Sequence, residues 1–374
     1  MLSIFAAHKK FMSEIRSADY SVFISRDITK EINAFFKQNP IPYSKLFILV
    51  DENSFKNCYP QLVEHVAAFK DAELIEIESG EDNKNIDVCL QIWSTLSELG
   101  ADRKSLFVNL GGGVIGDMGG FIASTFKRGI DFINIPTTLL AQVDASVGGK
   151  VGIDLNHLKN EIGVFNNPKA VFVNSNFLRT LDKRQLLSGF AEIIKHALIA
   201  DAAYWKKVIA VNLNDVEALD KLIEASVKIK NKVVMQDPEE YGLRKCLNFG
   251  HTIGHAIETC SLEETGSESF LHGEAIAVGM ICEAYLSYKL CNLAKEELKE
   301  ITDFIMERYP SLAIDHMDQQ HLIELMGHDK KNEKGMINFS LLSAIGTCEI
   351  NKTANYDQIF ESLAYYSEQL ELKE

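Results

Sequence analysis

Arg244, Asn248, His251 and His255 stand at i, i+4, i+7 and i+11 in Arg244-Lys-Cys-Leu-Asn248-Phe-Gly-His251-Thr-Ile-Gly-His255. At about 3.6 residues per turn that spacing predicts one helix with all four on a single face. Their neighbours Leu247, Phe249, Gly250, Ile253 and Gly254 are apolar or small. A cation, an amide and two imidazoles cannot share a buried stripe without partners, because each unpaired polar group costs roughly 2–7 kcal/mol. The stripe is therefore expected to face a metal, an anion or water. Two further donors support a metal: Glu192, in Ser188-Gly-Phe-Ala-Glu192-Ile-Ile-Lys195-His196, and His272, where Leu271-His272-Gly273-Glu274 opens another helix. Catalytic zinc usually takes three protein ligands and keeps one position open. By spacing alone His251 and His255 make the best pair. Lys228, Lys230 and Lys232 alternate on a third helix; such spacing ordinarily means solvent, with room for one to turn inward.

A second group of residues suits a nucleotide. Gly111-Gly-Gly113-Val-Ile-Gly116-Asp117 follows an apolar run, so Gly111, Gly113 and Gly116 satisfy GxGxxG between a strand and a helix. There the backbone can approach a pyrophosphate and the helix N-terminus supplies N–H donors. A glycine-rich turn that only packs a helix on a sheet explains the same letters, and this is not the first strand–helix turn. Asp51 and Asn53, past the run Leu46–Val50, are candidate ribose contacts or a plain turn. Glu81 to Lys84, Thr137-Thr138 after Pro136, Asp144–Lys150 and Lys159-Asn160 complete the set.

The elements that must position these residues change character along the chain. Val22–Ile24, Leu46–Val50, Leu74–Ile77, Leu106–Leu110, Phe132–Ile135 and Val171–Val173 read as buried strands, and Ile86–Leu99 as a helix with Val88, Leu90, Ile92 and Trp93 in the core. Such alternation predicts a mainly parallel, Rossmann-like α/β domain. From about Asp182 the strand signal fades. Lys183–Asp201, Val216–Met235, Leu243–Cys260, His272–Leu290 and Lys295–Arg308 predict an all-α C-terminal domain, with a strand pair around Met336–Leu342 and Cys348–Asn351. The expected domains are 1–178 and 179–374, with a ligand in the cleft between them. The net charge of −15 argues against nucleic acid as a partner. No apolar stretch reaches membrane-span length, and the N-terminus lacks the basic-then-apolar order of a secretory signal. Seven cysteines, odd in number and without CxxC pairs, read as reduced thiols of a cytoplasmic protein.

Taken together, Gly111–Asp117 (GGGVIGD), Phe126-Lys-Arg128-Gly129, Pro136–Leu140, Asp144–Lys150 (DASVGGK), Lys159-Asn160, Gly189–Lys195 (GFAEIIK), Gly242–Glu258 (GLRKCLNFGHTIGHAIE), Leu271–Glu274 (LHGE) and Asp329–Lys331 resemble the 3-dehydroquinate synthase family of sugar phosphate cyclases. The resemblance implies a dehydroquinate synthase-like fold, and a metal (Zn2+ or Co2+) on Glu192, His251 and His272, which leaves His255 for substrate. It implies substrate contacts at Asp144, Lys150, Asn160, Lys195, Lys230, Glu240, Arg244, Asn248, His255 and Lys330. It implies NAD contacts at Asp51, Asn53, Glu81, Lys84, Gly112, Gly113, Val114, Asp117, Thr137, Thr138, Lys150, Lys159, Phe177 and Thr180. Arg128 would reach the phosphate of a neighbouring subunit's substrate, hence a homodimer. The chain departs from the family pattern at Val151–Leu158, where the family reads TAVNHPLG before Lys-Asn, and at His196, where tyrosine is common.

The implied reaction is conversion of 3-deoxy-D-arabino-heptulosonate 7-phosphate into 3-dehydroquinate and phosphate, in aromatic amino acid biosynthesis. Hydroxyl oxidation by NAD, β-elimination of phosphate, return of the hydride and an aldol closure follow one another, so no net redox change is expected. A metal-dependent polyol dehydrogenase, a sister cyclase and an inactive scaffold are the rival readings. The cations Lys150, Lys195, Lys230, Arg244 and Lys330 favour a doubly anionic sugar phosphate.

Overall fold

The computed structural model describes residues 12–38, 42–155, 158–263, 269–327 and 335–373. They divide into two compact units, one running to Leu181 and including Leu213–Glu224, the other holding Asp182–Asn212 and the chain from Ala225 onward.

The first unit is built on a seven-stranded sheet. Its strands are β1 (Met12–Arg16), β2 (Ser21–Ser25), β3 (Leu46–Asp51), β4 (Glu73–Ile77), β5 (Leu106–Gly111), β6 (Asp131–Pro136) and β9 (Ala170–Asn174); between the last two in sequence, β7 (Lys150–Leu155) and β8 (Leu158–Phe165) form a separate hairpin. The sheet order is β1-β2-β9-β6-β5-β3-β4. Every pair is parallel except β1 with β2 at the edge. All six predicted strands lie in it. The unbroken apolar run of β3 follows from burial on both faces, whereas the edge strand β4 is interrupted by Glu76 and largely exposed. Successive side chains of β3 alternate: Phe47 and Leu49 enter one core with helices Ile86–Glu98 and Gly113–Thr125, while Ile48 and Val50 enter the other. Leu90, expected in the core, is exposed on the helix Ile86–Glu98.

β4 lies on one side of β3 and β5 on the other, so the strand order reverses there. Ligands of open α/β sheets bind at such reversals, outside the carboxyl ends of the strands. Those ends carry Asp51 on β3 and Gly111 on β5; Gly111 pairs with Pro136 of β6, and its carbonyl accepts from the Thr137 amide at 2.9 Å.

The second unit is mainly helical and carries the expected strand pair as an antiparallel hairpin, β10 (Met336–Ala344) and β11 (Thr347–Asn355). Its centre is the helix His272–Leu290, buried almost all round from Gly273 to Ser287. Helices Lys183–Ala200, His251–Glu263, Lys295–Arg308 and Tyr356–Lys373 pack on it, as does β10.

The predicted single helix over Leu243–Cys260 is two pieces. Leu243–Asn248 is a 3-10 turn, and an α-helix begins only at His251. The break is at Gly250, which sits at φ +80°, and whose Cβ, if it had one, would lie 2.5 Å from Met280 Cγ. Only glycine fits that backbone against that neighbour. Arg244 and Asn248 therefore do not share a helix face with His251 and His255.

Candidate active site

Within the second unit, five of the expected side chains converge. Glu192 and Lys195 lie one turn apart on Lys183–Ala200, both buried, and the Lys195 ammonium donates to Glu192 Oε2. The other carboxylate oxygen, Oε1, is 3.4 Å from His251 Nε2 and 3.5 Å from His272 Nε2. Behind each ring stands an acceptor. His251 Nδ1 is 3.2 Å from the Phe249 carbonyl, and His272 Nδ1 is 3.2 Å from Glu258 Oε2. A carbonyl oxygen can only accept, so Nδ1 of His251 carries the hydrogen and its Nε2 presents a lone pair towards Glu192. An imidazole backed at Nδ1 and open at Nε2 is the arrangement of metal-ligating histidines. The donor set thus fits a divalent ion.

His255 is the fifth group, more exposed, its ring centre 5.0 Å from that of His251 and 5.7 Å from that of His272. A nitrogen from each of the three rings lies within 4.8 Å of the others. Geometry therefore brings together both sets considered from sequence, the His251–His255 pair and the Glu192–His251–His272 triad. Burial and the Lys195 charge drive His251 well below the ordinary histidine range, which keeps it neutral. Burial acts the same way on His272, but Glu258 and Glu192 outweigh it and raise its pKa to about 9.

Arg244, Asn248 and Glu240 are positioned by the loop before the 3-10 turn. The Asp237 carboxylate accepts from the amides of Tyr241, Gly242 and Arg244 at 2.7–3.0 Å. The Asn248 amide donates to Glu240 Oε1 at 2.9 Å, and Arg244, buried, donates to the Pro238 carbonyl at 2.6 Å. Of the alternating lysines, Lys230 is the one that turns inward; Lys228 and Lys232 are exposed. Lys330 lies outside the described residues. His196 Nδ1 is 2.6 Å from the Ser226 hydroxyl oxygen, and a ring nitrogen of His196 lies within 4.8 Å of a Glu192 carboxylate oxygen.

Sequence reasoning missed Glu283. It is fully buried on His272–Leu290, and its carboxylate accepts from the Gly250 amide at 2.6 Å and the Ile253 amide at 3.1 Å. Burial pushes its pKa up to about 8, against the pull of the amides of Gly250, Ile253 and Thr252. The available signal was a lone carboxylate inside the apolar run Ala275–Leu286.

Within the first unit, Lys84 is a buried hub. Its ammonium donates to Asp117 Oδ2 at 2.8 Å and Asn160 Oδ1 at 2.7 Å, and lies 3.8 Å from Glu81, which also pairs with Lys159 at 3.3 Å. Burial disfavours its charge, but Asp117, Glu81 and Asp154 outweigh burial and hold it above the usual lysine range. Five expected contacts, Glu81, Lys84, Asp117, Lys159 and Asn160, thus form one network. Gly112 is the N-cap of the helix Gly113–Thr125 and offers no side-chain cap, so the backbone amides of Gly113 and Val114 open the helix. Asp51 caps the short helix Glu52–Asn57 through the Ser54 amide, 2.7 Å away; Asn53 is exposed. Thr137 is buried, and the Thr138 hydroxyl accepts from the Ala141 amide at 3.2 Å. Asp144 lies in a five-residue π-turn, Lys150 is exposed at the head of β7, Phe177 is in the core and Thr180 is exposed. Arg128 is exposed in a left-handed turn, at φ 73°.

Two family models match consecutive stretches: 3-dehydroquinate synthase N-terminal over residues 74–188 and 3-dehydroquinate synthase C-terminal over residues 189–332. A 3-dehydroquinate synthase from Parabacteroides distasonis is 48% identical over 353 residues, which are 94% of this chain and 99% of the relative. The chain belongs to the 3-dehydroquinate synthase family. Another member, from Clostridium acetobutylicum, is 40% identical over 92% of this chain and 96% of its own length. Among solved structures, the fold matches 2-deoxy-scyllo-inosose synthase complexed with carbaglucose-6-phosphate, NAD+ and Co2+ (TM-score 0.82, 23% identity, covering 95% of this chain and 99% of that one). It also matches 2-epi-5-epi-valiolone synthase from Streptomyces hygroscopicus with NAD+ and Zn2+ bound (TM-score 0.81, 24% identity, covering 96% and 99%).

The two departures from the 3-dehydroquinate synthase pattern have local explanations. The divergent stretch enters the β7–β8 hairpin, where Asp154 Oδ1 accepts from the Asn160 amide at 2.8 Å and so holds the family's Asn at φ 56°. His196, in place of the family's tyrosine, is buried and keeps a polar partner in Ser226.

Proposed function

We propose that this chain is a 3-dehydroquinate synthase that converts 3-deoxy-D-arabino-heptulosonate 7-phosphate into 3-dehydroquinate and phosphate. The observation that carries the metal-dependent part is the approach of two backed imidazoles to one buried carboxylate oxygen, at 3.4 and 3.5 Å. Glu192, His251 and His272 would hold the divalent ion, Zn2+ or Co2+. Glu192 is preferred to His255 as third ligand because it is buried and anionic, whereas His255 is exposed. The nucleotide would be NAD, held at the β3–β5 reversal by residues of 1–178, namely Asp51, Asn53, Glu81, Lys84, Gly112, Gly113, Val114, Asp117, Thr137, Thr138, Lys150, Lys159 and Phe177, and by Thr180 just beyond them.

When bound, the ion supplies Lewis acidity at substrate hydroxyls and NAD a hydride acceptor that is regenerated. The protein's own side chains do the rest. Lys195, Lys230, Arg244 and Lys330, with Lys150, oppose the charges of carboxylate and phosphate and fix the sugar's orientation. Arg244 suits a two-point contact with an oxyanion. Asn248, oriented by Glu240, and His255 would hold or pass protons beside the leaving phosphate; Asp144 and Asn160 would bind hydroxyls. Residues 179–374 would thus be the metal- and substrate-binding domain. Arg128 would complete a partner's phosphate site in a homodimer. The reading places the enzyme in the cytoplasm, in keeping with cysteines that are all free among the described residues.

Incubation with the heptulosonate phosphate tests the assignment. Phosphate release without lasting NADH absorbance is expected; NADH accumulating in step with substrate would overturn it in favour of a dehydrogenase. Sedoheptulose 7-phosphate in parallel separates a sister cyclase.

A further inference from the structure

We propose that Glu283 is a positioning residue for the metal pocket: its carboxylate fixes the first turn of His251–Glu263 and thereby the direction in which His251 points. The inference rests on the metal reading above. A helix leaves its first N–H groups without internal partners, and they are ordinarily met by a side chain at the N-cap. Here the N-cap is Gly250, and the approach of Met280 forbids any side chain there. The cap comes instead from the neighbouring helix: Glu283 accepts from the amides of Gly250 and Ile253.

The arrangement is reciprocal. His251–Glu263 contributes Glu258, which holds His272, the first residue of the other helix. His272–Leu290 contributes Glu283, which holds the turn that begins with His251. The backbones meet closely between these two ties: a Cβ on Gly279 would come within 2.1 Å of the Gly250 carbonyl. A shift of either helix start would move one Nε2 relative to Glu192 Oε1. Glutamine at 283 cannot reproduce the tie, since its NH2 would face an N–H where the carboxylate offered an acceptor.

The test is Co2+ uptake by chelator-stripped wild type, Glu283→Gln, Glu283→Met and His251→Ala, followed by calorimetry and by the visible absorption of bound Co2+. Wild type is expected to bind, His251→Ala to lose binding, and Glu283→Gln to bind about tenfold or more weakly with a shifted cobalt band. A Glu283→Gln variant with wild-type affinity and spectrum overturns the positioning role and leaves the metal reading intact. Failure of both Glu283 variants to fold also overturns it, making Glu283 a residue of stability alone. Absence of Co2+ binding by wild type, or full binding by His251→Ala, defeats the metal reading itself.

Discussion

Glu258 Oε2 lies 3.2 Å from Nδ1 of His272, so a carboxylate that is almost fully buried orients a ring whose other nitrogen faces Glu192. Such backing fixes a ligand's tautomer and raises its basicity.

Glu258→Gln keeps the shape and an acceptor but removes the charge. Affinity for Zn2+ or Co2+ is expected to fall by about 10- to 100-fold. Calorimetric titration of the stripped protein measures this; an unchanged affinity would make Glu258 irrelevant to the ligand.

Metal uptake should release a proton from His272. Its pKa in the metal-free fold is about 9, because Glu258 and Glu192 outweigh burial. Bound metal requires the neutral ring. Co2+ affinity is therefore expected to rise about tenfold per pH unit up to about pH 9 and then level off. The metal-free protein should behave oppositely. A raised histidine pKa contributes stability that is fully present below the ordinary value near 6.5 and is lost as pH rises through about 9. Opposite slopes in Co2+ titration and in apo thermal unfolding are the signature; parallel slopes would refute it.

Glu192 and Lys195 are a buried pair, so removing one charge strands the other. Glu192→Gln is expected to cost the metal-free protein about 3–5 kcal/mol, and Lys195→Met added to it should recover much of that loss. Urea unfolding of the two single variants and the double variant gives the coupling. Neither Glu192 variant should bind Co2+, whatever its stability.

Much of this was written openly in the chain. The strands of the parallel sheet were legible because burial on both faces demands unbroken apolar runs such as Leu46–Val50. The cluster of Glu192, His251 and His272 was legible because histidine and glutamate are costly in helices otherwise made of alanine, glycine and isoleucine. What failed was the joint at Gly250. The spacing of Arg244, Asn248, His251 and His255 suits a helix, and nothing local announces that Met280, thirty residues on, forces a left-handed turn there. Glu283 was hidden for the same reason: its partners are backbone amides of another helix, which no side-chain pattern records. The β7–β8 hairpin escaped because its glycines blur the alternation, and β1 because its exposed edge is largely polar.

Lys84 tests the nucleotide half. It joins Glu81, Asp117 and Asn160 from three separate elements, and Lys84→Met leaves the Asp117 carboxylate without its 2.8 Å partner. NAD affinity, followed by fluorescence titration, is expected to drop by more than about tenfold, since breaking a buried pair commonly costs about 3–5 kcal/mol and the network shapes the loop. Co2+ binding should stay at the wild-type level, because the metal donors belong to the other unit. Loss of both together would indicate general unfolding.

Arg128 tests the homodimer. It is exposed in a turn where Lys127, Arg128 and Gly129 all have positive φ, at 50°, 73° and 107°. Two consecutive non-glycine residues in that region are costly, of order 1–3 kcal/mol each, and such strain concentrates at functional sites. If the guanidinium serves a neighbour's phosphate, Arg128→Ala should raise KM for the phosphorylated substrate while leaving NAD and Co2+ affinities unchanged. The decisive measurement is complementation. Arg128→Ala lacks the donated arginine, and His272→Ala lacks a metal ligand in its own pocket, so each homodimer is impaired. Unfolding and refolding the two together forms mixed dimers in which one pocket has an intact His272 and receives an intact Arg128. Activity recovered in the mixture, above either variant alone, supports donation between subunits; a mixture no more active than the mean of its parts shows that each chain uses its own arginine.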